Sequence, residues 1–329
     1  MNIDRYLNML LEGQKTEVLG VALNLKIFKS LEEENHTFNS LAVKLELNPH
    51  NTKVLLDALV LLDLLYKQGE FYKNEALTKE FFIEETKGYC GDVFLHRKEM
   101  LNHGKKMLDT LVKEGCGALK DSKHPKKWAG AAKRFLRQEQ ENLISKVALD
   151  TVTRLKEFSS AKKMLDLGCS SGIVGLEIIK SHLSLQGVLY DYKEVTDVVD
   201  EHIKEYGLQN RVTTLSGDIQ NDDIGSGYDL IWCSNIFYFF KDKKEVIEKI
   251  YKALNTNGVL VSVHVEIDET DKTNLDEYFY FLFLNMQERG VLKPFELSDI
   301  FEETGFRSIN SYTSVEMPMT KSQIHIAKK

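Results

Sequence analysis

The residues best suited to chemistry lie in one short run, residues 164–175, MLDLGCSSGIVG. Asp166 falls near the end of an apolar strand-like segment, Gly168 and Gly172 flank a turn, and a helical pattern begins near Ile173. Glycines at such a bend let the backbone come close to a ligand, and the helix that follows offers its free N–H groups to the ligand's polar end. A glycine pair after a strand is also the pattern of a plain turn, so the downstream residues decide. Asp191 closes the next strand-like run, GVLYD, 19 residues after Gly172. A carboxylate there is placed to accept both hydroxyls of a ribose. It suits an unphosphorylated adenosine diol and disfavours a 2′-phosphate. Gly217, Asp218 and Ile219 follow the third run, where Asp218 can hydrogen-bond an adenine amino group. Each acid has a plainer alternative, with Asp218 capping its own loop and Asp191 capping a helix near Lys193. The conjunction of all three positions points to a nucleoside.

These residues need a scaffold, and the pattern from residue 159 onward supplies one. KKMLDL, GVLYD, RVTTLS, YDLIWC, GVLVSVHV and SQIHIAK are short β-rich runs. Helical stretches such as GIVGLEIIKSH, EVTDVVDEHIKEY, KEVIEKIYKAL and LSDIFEET separate most of them. The alternation predicts a doubly wound α/β domain, a parallel sheet with helices on both faces. The ligand crevice should lie beyond the carboxyl ends of its first strands.

The remainder reads as two further parts. Residues 1–90 form a helical module whose helix over residues 17–31 precedes a helix–turn–helix and a small hairpin, LLYKQGEFYKN, the outline of a winged helix. Thr37 is placed to cap the helix FNSLAVKLEL, and Asn48-Pro49 begins a turn before NTKVLLDALVLLDLL. Residues 1–86 carry nine Lys/Arg against fourteen Asp/Glu, a balance of −5 that opposes DNA binding, whose affinity rests on neutralised phosphates. The apolar second helix favours a dimerisation module instead. Residues 91–158 read as a helical linker and residues 159–329 as the α/β domain. Between Arg97 and Arg137 there are twelve Lys/Arg and four Asp/Glu, a balance of +8. These cations either form a solvated helical face or draw an anionic compound toward a site the linker roofs.

Composition narrows the class further. The chain has 329 residues, 43% hydrophobic and 28% charged, with a net charge of −7. Those are globular proportions, and nothing in them calls for nucleic acid or an anionic membrane. No run reaches the roughly 18 apolar residues of a membrane span. The opening MNIDRYLNML lacks the apolar core of a signal peptide. Cys90, Cys116, Cys169 and Cys233 are scattered without metal-ligand spacing, which makes a reducing cytoplasm the expectation.

DLGCSSG, Asp191 and SGD at 216–218 resemble the S-adenosylmethionine (SAM) site of class I methyltransferases, with Ser170 where many members have glycine. The winged-helix start, the helical linker and the block SNIFYFFKDKKEVIEKIYKALNTNGVLVSV are similar to two-domain O-methyltransferases related to caffeate and hydroxyindole O-methyltransferases and their bacterial counterparts. The resemblance covers nearly the whole chain. It implies a homodimer held by the N-terminal domain, no metal, and a small, aromatic or conjugated hydroxyl acceptor between the linker helices and the C-terminal domain. By it, Gly168, Cys169, Ser170, Gly172, Asp191, Tyr192, Asp218, Ile219 and Ser234 line the cofactor site. His96, Phe135 and Glu139 fall on linker helices near the acceptor.

The mechanism the resemblance implies is in-line displacement, with a histidine base removing the acceptor's proton. Here Tyr238 stands in that histidine's place, His264 stands where members have an acid near the end of the fifth strand, and a second acidic position falls near Val291. One expectation is that His264 has become the base, with Tyr238 orienting the acceptor. The alternatives are that the acceptor needs no base (a thiolate, an acidic phenol or enol, or a carbon nucleophile), that the chain binds SAM without transferring methyl, or that both residues are structural. A DNA-reading regulator and a nicotinamide oxidoreductase fit the residues less well. Asp222-Asp223 reads as a solvated loop.

Overall fold

A computed structural model describes residues 3–116, 125–288 and 290–329. Lys120, Asp121 and Lys123 of the basic segment lie outside the described residues. The chain divides into two compact units, Met1–His103 and Gly104–Lys329. The linker expected over 91–158 is thus shared between them.

The first unit begins with α1 (Asp4–Asn24) and α2 (Ile27–Glu33). A single helix was expected over residues 17–31; Lys26 breaks it by adopting a left-handed conformation, φ 54°. The side chain of Thr37 accepts from Ser40 N to start α3 (Phe38–Lys44). Asn48 caps α4 (Pro49–Leu61) in the same way, with Pro49 in the first turn where no N–H is missed. The hairpin β1 (Leu65–Gln68) and β2 (Phe71–Asn74) turns at Gly69 and leads to α5 (Ala76–Phe82). Leu41, Leu56 and Leu59 are wholly buried with Ile27 and Phe28 in the core of this unit. Lys53, the one Lys or Arg of α4, is paired with Asp57 at 2.6 Å, and Lys67 pairs with the same carboxylate. Tyr6, Leu7, Leu10 and Leu11 on α1 are at least half exposed. α6 (Gly91–Glu114) runs on into the second unit.

The second unit continues through α7 (Pro125–Lys133), α8 (Phe135–Glu139), a π-turn at Gln140–Ile144 and α9 (Ser145–Thr153). Strands and helices then alternate: β3 (Lys163–Leu167), α10 (Ile173–Ser181), β4 (Gln186–Asp191), α11 (Lys193–Glu205), β5 (Val212–Ser216), β6 (Tyr228–Ser234), α12 (Lys243–Ala253) and β7 (Leu254–His264). α13 (Leu275–Met286), α14 (Glu296–Thr304), β8 (Ser308–Ser314) and β9 (Ser322–Lys328) complete the chain.

The sheet has the order β5-β4-β3-β6-β7-β9-β8. The first five strands are parallel; β9 runs antiparallel to both its neighbours. The sheet is therefore mostly parallel, in keeping with the doubly wound expectation, with β9 the antiparallel strand. Successive residues feed two separate cores, with Met164, Leu189, Trp232 and Val261 on one face and Leu165, Tyr190, Ile231 and Leu260 on the other. Both faces are thus covered, as a parallel sheet requires. The chain leaves β3 toward β4 on one side and returns at β6 on the other, so the strand order reverses at the carboxyl end of β3.

Close packing fixes that end. A β-carbon at Gly175 on α10 would lie 2.5 Å from Leu189 Cδ2 and 2.7 Å from Asp166 Oδ2. Gly175→Val should destabilise the second unit by about 1–3 kcal/mol, read as a lower urea midpoint at unchanged slope. An unshifted midpoint would contradict this packing.

Candidate functional site

The bend at residues 168–172 lies at the strand-order reversal. Gly168 and Gly172 have φ of 72° and 74°, and β-carbons there would lie 2.6 Å from Ile236 Cγ2 and 2.8 Å from Val199 Cγ1. Ser170 also adopts a left-handed conformation, φ 54°, which accounts for the glycine many related chains carry.

Groups distant in sequence hold this shape. Gly168 N and Cys169 N donate to the Tyr190 carbonyl at 2.9 and 3.0 Å. Asp166 Oδ2 accepts from Gly175 N at 3.0 Å, anchoring α10 to β3. The buried His202 ring lies 2.8 Å from the Ser171 carbonyl through Nδ1. Gln140, from the π-turn, takes the Ser171 hydroxyl at 2.6 Å and Ile173 N at 3.0 Å on its Oε1, and gives its Nε2 to the Cys169 carbonyl at 3.1 Å. Gln140 and His202 were not singled out from the sequence, because their contacts join segments that no local motif connects; Asp166 and Gly175 both lie in the run 164–175.

Asp191 sits where the ribose reading needs it. Its Oδ2 accepts from Ser170 N at 2.9 Å and its Oδ1 from Tyr192 N at 2.7 Å. Burial pushes its pKa up to about 6 despite those two donors. The carboxylate is thus short of hydrogen-bond donors, a deficit that two ribose hydroxyls would fill. Beside it, Ser170 Oγ is buried with no hydrogen-bond partner among the described residues. The same is true of Tyr190 Oη, which lies under Gly217, 2.3 Å from where a β-carbon would stand. An open bend, an under-donated carboxylate and orphaned hydroxyls fit a nucleoside cofactor.

The loop after β5 is held from inside. Asp218 accepts from Gln220 N at 3.1 Å and Asn221 Nδ2 at 3.0 Å, so it does cap its own loop. Asp222 accepts from Asp218 N and Asp223 from Gly225 N. Lys249 on α12 donates to the carbonyls of Ile219, Gln220 and Asp222. Ser234, at the end of β6, is partly exposed, whereas Cys169 is buried and its thiol pKa is raised by burial, against any nucleophilic role.

The acid–base side differs from expectation. Tyr238 and His264 do come together, with ring centroids 5.6 Å apart, but both are enclosed. His264 Nε2 accepts from Ile236 N at 3.1 Å and Phe237 N at 3.3 Å, and Nδ1 lies 2.9 Å from Ser262 Oγ. Its lone pair is used, its proton faces Ser262, and burial holds its pKa well below the ordinary value. Both ring nitrogens are thus engaged by the chain itself, through Ile236 N, Phe237 N and Ser262 Oγ. Tyr238 Oη accepts from Val265 N and lies 3.3 Å from Asn235 Oδ1, and burial raises its pKa further. It ties the segment after β6 to the end of β7 through Val265 N.

Phe135 and the buried Glu139 lie on α8, directly before the π-turn. His96 belongs to the first unit, on α6, where burial brings its pKa down to about 4. A cavity of about 300 Å³ in the second unit is lined by Ile267, Tyr278, Phe281, Asn285 and Val291 among others. The Phe281 ring meets that of Tyr238 at a tilt of 54°, their centroids 5.0 Å apart. In the basic segment, Lys113, Lys133 and Arg137 are engaged by acidic partners.

Comparison with known proteins agrees with this architecture. The O-methyltransferase domain family matches residues 116–307, and the O-methyltransferase dimerisation domain matches residues 8–83. An uncharacterised protein of Methanocaldococcus jannaschii is 25% identical over 301 residues, covering 90% of this chain and 77% of that one. The tetracenomycin polyketide synthesis 8-O-methyltransferase of Streptomyces glaucescens is 24% identical, covering 91% and 89%. The crystal structure of human N-acetylserotonin methyltransferase in complex with SAM shares the fold, with a TM-score of 0.82 at 20% identity over 100% of this chain and 98% of that one. With both domain families matched in order, the chain belongs to the O-methyltransferase family of SAM-dependent enzymes.

Proposed function

We propose that this enzyme methylates a hydroxyl of a small conjugated acceptor that is acidic enough to ionise near neutral pH. The observation that carries the cofactor half is Asp191: a half-buried carboxylate at a strand end, holding the bend through Ser170 N and raised in pKa by desolvation. SAM brings a methyl already activated by its sulfonium, so the chemistry asks for no metal. The protein's part is to hold the nucleoside on Asp191, Tyr192, Asp218 and Ile219, to support the bend at Gly168, Ser170 and Gly172, and to align an acceptor beside Ser234. The acidic-hydroxyl reading is supported by the two residues at the family's proton-accepting positions, Tyr238 and His264, which are neutral and already hydrogen-bonded. Tyr278, Phe281, Ile267 and Val291 give the cavity near Phe281 apolar surface for a flat ring, beside the charged Glu269, Glu288 and Lys293, and Phe135, Glu139 and His96 remain candidates for the acceptor side. The S. glaucescens relative, named for a polyketide 8-O-methylation, supports the same acceptor class.

We further propose a cytoplasmic homodimer joined through the first unit. The dimerisation family covers residues 8–83, and α1 exposes Tyr6, Leu7, Leu10 and Leu11, a stripe too apolar to be left in water.

Three outcomes are expected. S-adenosylhomocysteine should bind with constant affinity above about pH 7 and weaken as pH falls through 6, by up to about tenfold per unit, because the diol needs an ionised acceptor. The sign follows from the raised pKa: without ligand, the group's contribution to stability is complete below the ordinary carboxylate range and is lost as pH rises through 6. Titration calorimetry from pH 5 to 8 reads this, and affinity rising on acidification would contradict it. Second, methyl transfer assayed on hydroxynaphthoates, hydroxyanthraquinones and catechols should show an apparent pKa that follows the acceptor. His264→Gln should leave that profile in place, whereas a loss of about 10²–10⁴-fold with a vanished acid-side limb would make His264 the base after all. Third, Leu7→Glu with Leu10→Glu should convert a dimer to a monomer in light scattering; an unchanged mass would remove α1 from the interface.

A further inference from the structure

The N–H groups that open a helix are commonly satisfied by the side chain of the preceding residue, and α10 cannot use that device because Gly172 precedes it. The donors are met from the linker instead. Gln140 Oε1 receives Ile173 N at 3.0 Å, Val174 N at 3.3 Å and the Ser171 hydroxyl at 2.6 Å. Its Nε2 donates to the Cys169 carbonyl at 3.1 Å. One amide thus ties both sides of the bend to the start of α10. The backbone around it is itself unusual. Gln140 opens the π-turn Gln140–Ile144, inserted between α8 and α9, and such turns shift the register of the side chains beyond them.

Asp191 and the β5 loop define the nucleoside end of the crevice, so the cofactor's amino-acid end runs the other way, across residues 168–171 toward β6. We infer that Gln140 is a positioning residue for that amino-acid end: it keeps the bend in shape with a neutral group, so that the helix terminus beneath the cofactor's carboxylate carries no competing negative charge. This rests on the cofactor reading above. A carboxylate in its place would keep the cap, since helix N-termini favour anions. It would, however, lose the donation to the Cys169 carbonyl and repel the cofactor's own carboxylate.

The test uses the full-length protein, calorimetry with S-adenosylhomocysteine and with adenosine, and thermal melts. Gln140→Glu should melt within a few degrees of the unaltered protein, bind adenosine within about twofold, and bind S-adenosylhomocysteine about ten- to a hundredfold more weakly. Gln140→Ala should weaken both ligands, with a lower melting temperature. S-adenosylhomocysteine binding within twofold of the unaltered protein in folded Gln140→Glu would overturn the inference, as would an equal loss for both ligands in that variant. If Gln140→Ala fails to fold, Gln140→Glu decides alone; if Gln140→Glu fails to fold, the cap does not accept a carboxylate and the inference fails. Should the unaltered protein bind neither ligand, the cofactor reading itself fails.

Discussion

A backbone bend that approaches a ligand must leave one side open, yet every polar group on its other side needs a partner. Residues 168–172 meet that constraint almost wholly with borrowed groups. The Tyr190 carbonyl takes two N–H groups, Asp191 takes a third, His202 meets one carbonyl, and Gln140 meets another together with the start of α10. The strain of a left-handed Ser170 is borne by the same set. Because the partners come from β4, α11 and the linker, the bend keeps its form only when the whole second unit is folded. Asp191 holds the bend through Ser170 N, and its raised pKa reflects the desolvation of its carboxylate there.

The same economy of partners explains the acid–base side. The segment after β6 must fold back over the sheet, and its N–H groups at Ile236 and Phe237 need acceptors there. His264 supplies one nitrogen and Tyr238 braces the next strand end through Val265. Residues that a related enzyme would use on substrate are here used on the chain itself. On the function proposed above, proton removal falls to the acceptor's own acidity.

Much of this was legible in the residues. The glycine spacing, Asp191 and the strand–helix alternation are local patterns, and the caps at Thr37 and Asn48 follow from side chains that compete for helix-start N–H groups. What local patterns could not convey is what packs on what. β8, SINSYTS, is polar because it is an exposed edge, so its strand character left little trace. The break at Lys26 has no proline or glycine to announce it. His264 occupies a strand end, a position that suggests access, but the returning segment covers it. Gln140 lies some thirty residues from the groups it caps, and its role exists only once the π-turn has set its direction.

The account stands on a bend shaped before the cofactor arrives. A crystal structure of the S-adenosylhomocysteine complex beside one without ligand tests this most directly. The expected result is a ribose diol on Asp191, with residues 168–172 and the Gln140 and His202 contacts superimposing within coordinate error. A bend that reorganises to admit the ligand, or a ligand seated away from Asp191, would contradict it.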